Sequence, residues 1–274
     1  MSSIAARSQP RIRFNRRLVG DILAHTYIWI WLGLFALPFV ATSIHSLELP
    51  DGGYGFAAYT DAFGSFKSNL ITSFEVTGLT IAINLVIAIP AAYAFVRHTI
   101  PGKGFLLSIL NLSLYTPAAV MGLSLLITYA FLFHIPKSTT GLVAAYVVGS
   151  YPLMLVPMIV ALRDLPLVYE EAARTLGANR LQCLLRIELP LLGPGISAGI
   201  LLTFVIIFNE FLVTLFIAGP SNTTAALRVY NLTRTGFLPS TAALAAIMQL
   251  VSFLVVLFFF KFFGSRYLKG TYLI

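Results

Sequence analysis

The sequence predicts an all-α protein that crosses a membrane with six helices, and three observations carry that prediction. Of 274 residues, 58% are hydrophobic and 10% charged, whereas a soluble domain carries about 25% charged residues. Six apolar runs, 27–46, 69–96, 105–133, 142–162, 193–218 and 241–263, reach the length of about 20 residues that spans the hydrocarbon core. Taking alternate connections as one side, that side holds fourteen Lys and Arg residues and the other only Lys67, Lys137, Arg228 and Arg234. Basic residues favour cytoplasmic loops, so both termini are expected in the cytoplasm. In lipid only helices or closed barrels satisfy the backbone, and these runs are too long and continuous for the alternating strands of a barrel.

The basic segment 1–26 is expected to be cytoplasmic. The first run is longer than the apolar core of a signal peptide and no convincing small-residue cleavage site follows it, so it reads as a retained span. The transmembrane domain covers 27–264, and its longest outer connection, 47–68, is too short for a folded domain. Any soluble domain must come from other chains. The second run carries Glu75 near its outer end. Pro117 in the third run and Pro152 in the fourth should kink their helices, as packing features or as a mobile gate. In the fifth run Gly195 and Gly199 stand one turn apart, and Ala242, Ala243, Ala245 and Ala246 open the sixth. Such small residues let helices approach closely in lipid. Residues 265–274 form a cytoplasmic tail.

The net charge of +8 does not imply nucleic acid, because the basic residues are scattered between spans rather than gathered in one stripe with stacking aromatics. The lone Cys183 leaves no internal disulfide and no cysteine metal cage, and reads as a small packing residue. His25, His45, His98 and His134 lie near span ends, and no His-Glu-x-x-His motif supports an intramembrane enzyme. No Gly-x-x-x-x-Gly-Lys-Ser/Thr loop is present, so the chain has no phosphate-binding loop of its own.

The most polar long stretch is the cytoplasmic loop 163–190. Asp164 is a plausible N-cap with Pro166 in the first turn, the helix runs through Glu170 to Ala173, and Gly177 can take the left-handed conformation that ends it. Asn179 followed three residues later by Gln182 reads as a capping box. Leu181, Leu184 and Leu185 give the second short helix an apolar stripe, and Pro190 is expected to stop it. Periodicity alone allows either an elbow lying on lipid headgroups or a rigid docking surface.

The spacing is more specific. Glu171-Ala172-Ala173, three residues, Gly177, nine residues, Ile187, one residue and Leu189-Pro190 resembles the cytoplasmic motif of the inner-membrane permeases of binding-protein-dependent ABC importers. With the six-span layout the resemblance covers about 65–263. It implies a type I permease fold in which Glu171, Ala172, Ala173, Gly177, Ile187, Leu189 and Pro190 form the coupling surface for a separate ATPase. It further implies a sister permease, identical or not, two ATPase subunits that bind ATP and Mg, an extracytoplasmic substrate-binding protein, and a place in the bacterial inner membrane. No cofactor is expected in this chain. A self-contained secondary transporter would call for an internal repeat or half-helices at the midplane, and no clear repeat is seen.

Glu210 is the acidic residue far inside a span, with Asn209 beside it; burying such a charge costs about 2.5–3.5 kcal/mol on insertion scales. It should face either a water-filled path or a structural partner on a neighbouring helix. About seventeen residues into its span, it would lie roughly 25 Å from the cytoplasmic end. The stretches FNEFLVTLFIAGPS, beginning at Phe208, and LRVYNLTRTGFLPSTAALAAI, beginning at Leu227, resemble the polyamine-type branch of the same permeases, where the position of Glu210 is commonly acidic. That branch often has a second acid where this chain has Asn209 and a proline where it has Ala226, and related permeases carry iron, phosphonates and opines. The substrate implied is a small, cationic solute such as a polyamine, with those other solutes as alternatives.

Overall fold

The computed structural model describes residues 16–49, 52–236 and 238–264; the tail 265–274 and residues 1–15 lie outside them. Twelve α-helices, with three short π-helical segments and one 3₁₀ turn, can be followed among the described residues, and none of these residues forms a strand. The α-helices are α1 (Arg16–His45), α2 (Ala57–Arg97), α3 (Lys103–Tyr115), α4 (Ala118–Thr128), α5 (Thr139–Asp164), α6 (Val168–Thr175), α7 (Arg180–Cys183), α8 (Leu189–Leu191), α9 (Gly193–Phe208), α10 (Leu212–Ile217), α11 (Ala225–Thr233) and α12 (Pro239–Phe259).

Four helices, α1, α2, α5 and α12 with its π-helical extension to Phe263, are each long and apolar enough to cross a membrane. The other two apolar runs are interrupted. The expected single span 105–133 divides into α3 and a segment Ala118–Phe133 that meet at 107°, because Pro117 caps the second piece at φ −54° and ψ 133° instead of sitting within a kinked helix. Its missing N–H and the restriction it places on Thr116 favour an extended joint there. Pro152 behaves differently, since α5 continues through both Pro152 and Pro157. The expected span 193–218 ends as α9 at Phe208 and resumes as α10. The outer connection also proves shorter than read, with α2 starting at Ala57; this puts Glu75 near the helix's middle.

At the centre, α5 lies between α2 and α9, and α2 also packs on α9, α11 and α12. Lipid supplies no hydrophobic drive between helices, so close packing and hydrogen bonds must hold them. Both are present. Asn84 donates to Ser150 Oγ at 2.8 Å, and Ser150 Oγ donates to the Tyr146 carbonyl at 2.7 Å, tying α2 to α5. A Cβ on Gly195 would stand 2.6 Å from Ala161 Cβ and 2.8 Å from the Pro157 carbonyl, and one on Gly199 would stand 2.8 Å from Met154 Sδ. The small-residue reading of these glycines therefore holds, and so does that of the sixth run, where Ala242, Ala243 and Ala246 are buried. Asn69 donates to the Thr223 carbonyl at 2.8 Å and the Ala225 N–H to Ser73 Oγ at 2.8 Å, pinning the entry to α11 on α2.

Gly195→Ala is expected to destabilise the protein by about 1–3 kcal/mol, the usual cost of overpacking, whereas Gly78→Ala, whose Cβ would meet nothing within 4 Å, should be neutral or slightly stabilising. Thermal unfolding of the two variants in one detergent distinguishes them, and equal midpoints would contradict the packing described.

Candidate functional site

The loop 163–190 forms two short helices set by local chemistry. α5 runs through Asp164, so Asp164 is not the N-cap expected from the sequence. α6 begins only at Val168, has no side-chain cap, and draws its first turn from the Pro166 and Leu167 carbonyls, which leaves Pro166 just ahead of the helix. Its end is as read. Gly177 has φ +88°; its N–H donates to the Arg174 carbonyl at 2.9 Å, and the Ala178 N–H donates to the Ala173 carbonyl at 3.0 Å. This pair of bonds is a Schellman closure, which a glycine accommodates without a Cβ penalty. Asn179 Oδ1 then accepts from the Gln182 N–H at 2.8 Å, and Gln182 Oε1 accepts from the Asn179 N–H at 2.9 Å, completing the capping box.

The second helix departs from the expectation at Pro190. That residue does not stop it; the chain stays helical through Leu191 and turns by 66° into α9. In a regular helix the missing N–H of Pro190 would face the Arg186 carbonyl and its ring would clash there. The helix instead widens into a π-turn over Leu184–Glu188, where the Leu189 N–H bonds to the Leu184 carbonyl, a one-residue bulge that relieves the conflict.

The loop thus presents Glu171, Ala172, Leu176, Gly177, Leu181 and Leu185 outward, with Leu176 at 89% exposure. Ile187 and Leu189 are half-buried and Pro190 is exposed. Ala173 is turned inward and buried, contrary to the expectation that it lies open to a partner. Its neighbour Glu170 explains why: the face it shares with Ala173 is held against the protein by charge, through Arg97 of α2. Cys183 is buried as well, in keeping with a packing role.

That charge is a cluster the sequence did not disclose. Arg97, the last residue of α2, places Nε 3.3 Å from Glu188 Oε1 and 3.6 Å from Glu170 Oε2. Arg174 pairs with the other oxygen of Glu170 across one helical turn. Glu188 is only 1% exposed, and its Oε2 and Arg97 Nη2 are buried without a hydrogen-bond partner among the described residues. Burial pushes the Glu188 carboxyl above the usual carboxylate range, Arg97 draws it back down, and Glu170 pushes it up again. With its folded value raised, Glu188 holds its proton to higher pH than in the unfolded chain, so its contribution to stability declines as pH rises through that window. The only sequence signal for this cluster was the presence of ionisable residues beside long apolar runs.

The second candidate, Glu210, lies in the break between α9 and α10. Its Oε1 accepts the Val213 N–H at 3.0 Å, and its carbonyl accepts from Tyr146 Oη at 3.1 Å and Thr214 Oγ1 at 3.3 Å. Tyr146 Oη and Thr214 Oγ1 are also bonded to one another. The carboxylate therefore caps the first turn of α10, where orphan N–H groups need an acceptor, while the backbone carbonyl of Glu210 ties the break to α5 through Tyr146. Asn209 is exposed and donates to the Val205 carbonyl at 2.8 Å and to Ser252 Oγ of α12 at 3.1 Å.

Residues 84–269 match the family described as "Binding-protein-dependent transport system inner membrane component". The chain is 26% identical over 250 residues to the spermidine/putrescine transport system permease protein PotC of Escherichia coli (strain K12), covering 89% of this chain and 92% of that one. It is 36% identical over 160 residues to the molybdenum transport system permease protein ModB of the same organism, covering 52% of this chain and 67% of that one. Its fold is similar to that of a chain in a bacterial ABC transporter involved in the import of the acidic polysaccharide alginate, with TM-score 0.68, 18% identity, and coverage of 93% of this chain and 100% of that one.

Replacing Glu210 by Ala removes the acceptor for the Val213 N–H and should cost about 1 kcal/mol, as the loss of a helix cap does, while Glu210→Gln keeps an amide oxygen there. Thermal midpoints measured side by side should place Glu210→Gln nearer to wild type, and the reverse order would refute the capping role.

Proposed function

Because the chain belongs to the family of binding-protein-dependent transport system inner membrane components, we propose that its loop 163–190 is the surface through which a separate ATPase drives transport. The chain is a permease subunit of an ABC importer, a multi-pass inner-membrane component with no catalytic chemistry of its own. In this reading Glu171, Ala172 and Gly177 make the contact with the ATPase, and Ile187, Leu189 and Pro190 fix the second half of the loop beside it. Ala173 contributes by its size, letting α6 lie close to the body of the protein. One observation carries the proposal: an outward row of apolar and small residues is held on a loop stiffened by a Schellman closure, a capping box and buried ion pairs. A loop built so rigidly for lipid contact alone would waste its constraints, whereas a loop that transmits force needs them.

The remaining parts of the assembly follow the same reading. A sister permease, identical or not, completes the translocation path, and two ATPase subunits bind ATP and Mg. A substrate-binding protein delivers the solute from outside, and both termini face the cytoplasm. The solute proposed is a small cation of polyamine type, supported by the long match to the spermidine/putrescine permease and by Glu210 beside the break above α9. A second reading, a small oxyanion, is favoured by two observations. The Glu210 carboxylate is committed to the Val213 N–H, and the stretch most identical among these relatives is shared with the molybdenum permease. Uptake of spermidine and of molybdate by proteoliposomes holding the whole importer separates the two. Under the first reading Glu210→Gln lowers spermidine uptake.

Gly177→Val should strain the left-handed turn by about 1–2 kcal/mol and misplace the docking surface. The variant is expected to insert normally but to retain less ATPase during co-purification and to show reduced ATP hydrolysis in the assembled importer, while the isolated permease hydrolyses none. Wild-type hydrolysis and uptake in this variant would exclude the docking role.

A further inference from the structure

The loop is joined covalently to α5 and α9, yet the buried charges of its two halves meet on a third helix. Glu170 belongs to α6 and Glu188 to the π-turn before α8, and both face Nε of Arg97 at the end of α2. The covalent joints are poor at fixing the loop. Leu165, where the chain leaves α5, is extended at φ −79° and ψ 117°, and the other end turns by 66° at the entry to α9. Either joint can pivot if nothing else holds the loop.

Stability does not account for the cluster. Each buried ion loses several kcal/mol of hydration, about as much as its partner returns, and apolar residues of the same volume often serve as well or better. Arg97 Nη2 and Glu188 Oε2 even remain without partners among the described residues. An ionic contact differs from an apolar one in fixing position, since an apolar surface can slide while a charge between two buried carboxylates cannot leave without exposing all three. The helix that carries Arg97 is also the one packed on α5, α9, α11 and α12.

We propose that Arg97 is a positioning residue that locks both halves of the cytoplasmic loop to α2, so that loop and α2 move as one body when the ATPases close. Force received by the loop then enters the packed core through α2 instead of being absorbed at the two joints. This rests on the docking role of the loop and adds the route by which the motion leaves it.

The test uses the whole importer with spin labels at Arg186→Cys in the loop and Leu79→Cys in α2, both exposed, with the buried Cys183 replaced by Ser. Distances are measured without nucleotide and after trapping with ATP and vanadate. In the otherwise wild-type importer the separation should stay fixed. Arg97→Met alone would strand two buried carboxylates, so it is combined with Glu188→Met, which leaves the Glu170–Arg174 pair and an unchanged net charge. In that double variant the ATPases should still co-purify, and the separation should shift with nucleotide and broaden. Arg97→Lys provides the second variant: both carboxylates face the single Nε, so an ammonium can stand between them, and the fixed separation should return. A separation that stays fixed in the double variant, moves in the wild type, or moves in the lysine variant overturns the proposal. Failure of the docking role reads differently, as full ATPase retention by Gly177→Val.

Discussion

The approach of α9 to α5 sets the geometry on which the loop 163–190 and its ion pairs depend. Gly195 and Gly199 remove the side chains that would hold the two backbones apart; a single methyl at Gly195 would already stand inside the contact distance of Ala161. Because α5 ends at Asp164 and α9 begins at Gly193, that contact fixes the gap the loop must bridge and the direction from which the chain returns. The loop can be short, doubly capped and ionically held because its two anchors are near each other and do not drift. Dispersion contacts between backbones, small individually and large in sum, therefore position a polar surface outside the membrane core.

What the sequence disclosed and what it withheld divide along the range of the interactions concerned. Gly177, Asn179 and Gln182 were legible because a left-handed turn and a capping box involve residues at most five apart, whose chemistry decides the outcome without help from the rest of the fold. The small residues Gly195, Gly199, Ala242 and Ala243 were legible because helices in lipid have few other ways to meet. Prolines were not. Pro117 divides a run, Pro152 and Pro157 leave α5 continuous, and Pro190 is absorbed by a widened turn. The missing N–H is identical in all four, and the differences lie in what neighbouring residues do with the freed carbonyl. Arg97 was beyond reach because Glu188 lies 91 positions away, and the inward turn of Ala173 goes with the likewise long-range pairing of Arg97 to Glu170 on the same helix as Ala173.

Glu210 shows how one residue can carry two meanings in sequence, of which the structure displays the structural one. A carboxylate deep in an apolar run invites a reading as a solute site, since its burial has to be compensated by something. Here the compensation is visible: a backbone N–H at the start of α10 occupies one oxygen, while Tyr146 and Thr214 meet the residue's own carbonyl. The interrupted helix and the acid explain each other, because a broken span exposes donors and an acid supplies an acceptor. Any solute passing there would encounter a charge already shared with the fold.

The π-turn over Leu184–Glu188 has a consequence for the length of the loop. A widened turn amounts to one residue more than a regular helix would use, and each residue added to or removed from a helix rotates all that follows by about 100°. Glu188 directs its carboxylate at Arg97 only because that extra residue has been counted in. Loops between spans commonly tolerate insertions and deletions, but between Asn179 and Pro190 this chain has no such tolerance: losing one residue would swing the acid off the cation and leave both charges buried and apart. The fixed interval of nine residues between Gly177 and Ile187 is thus a statement of phase, the number that lets a capped start and a proline-bearing end share one helical register.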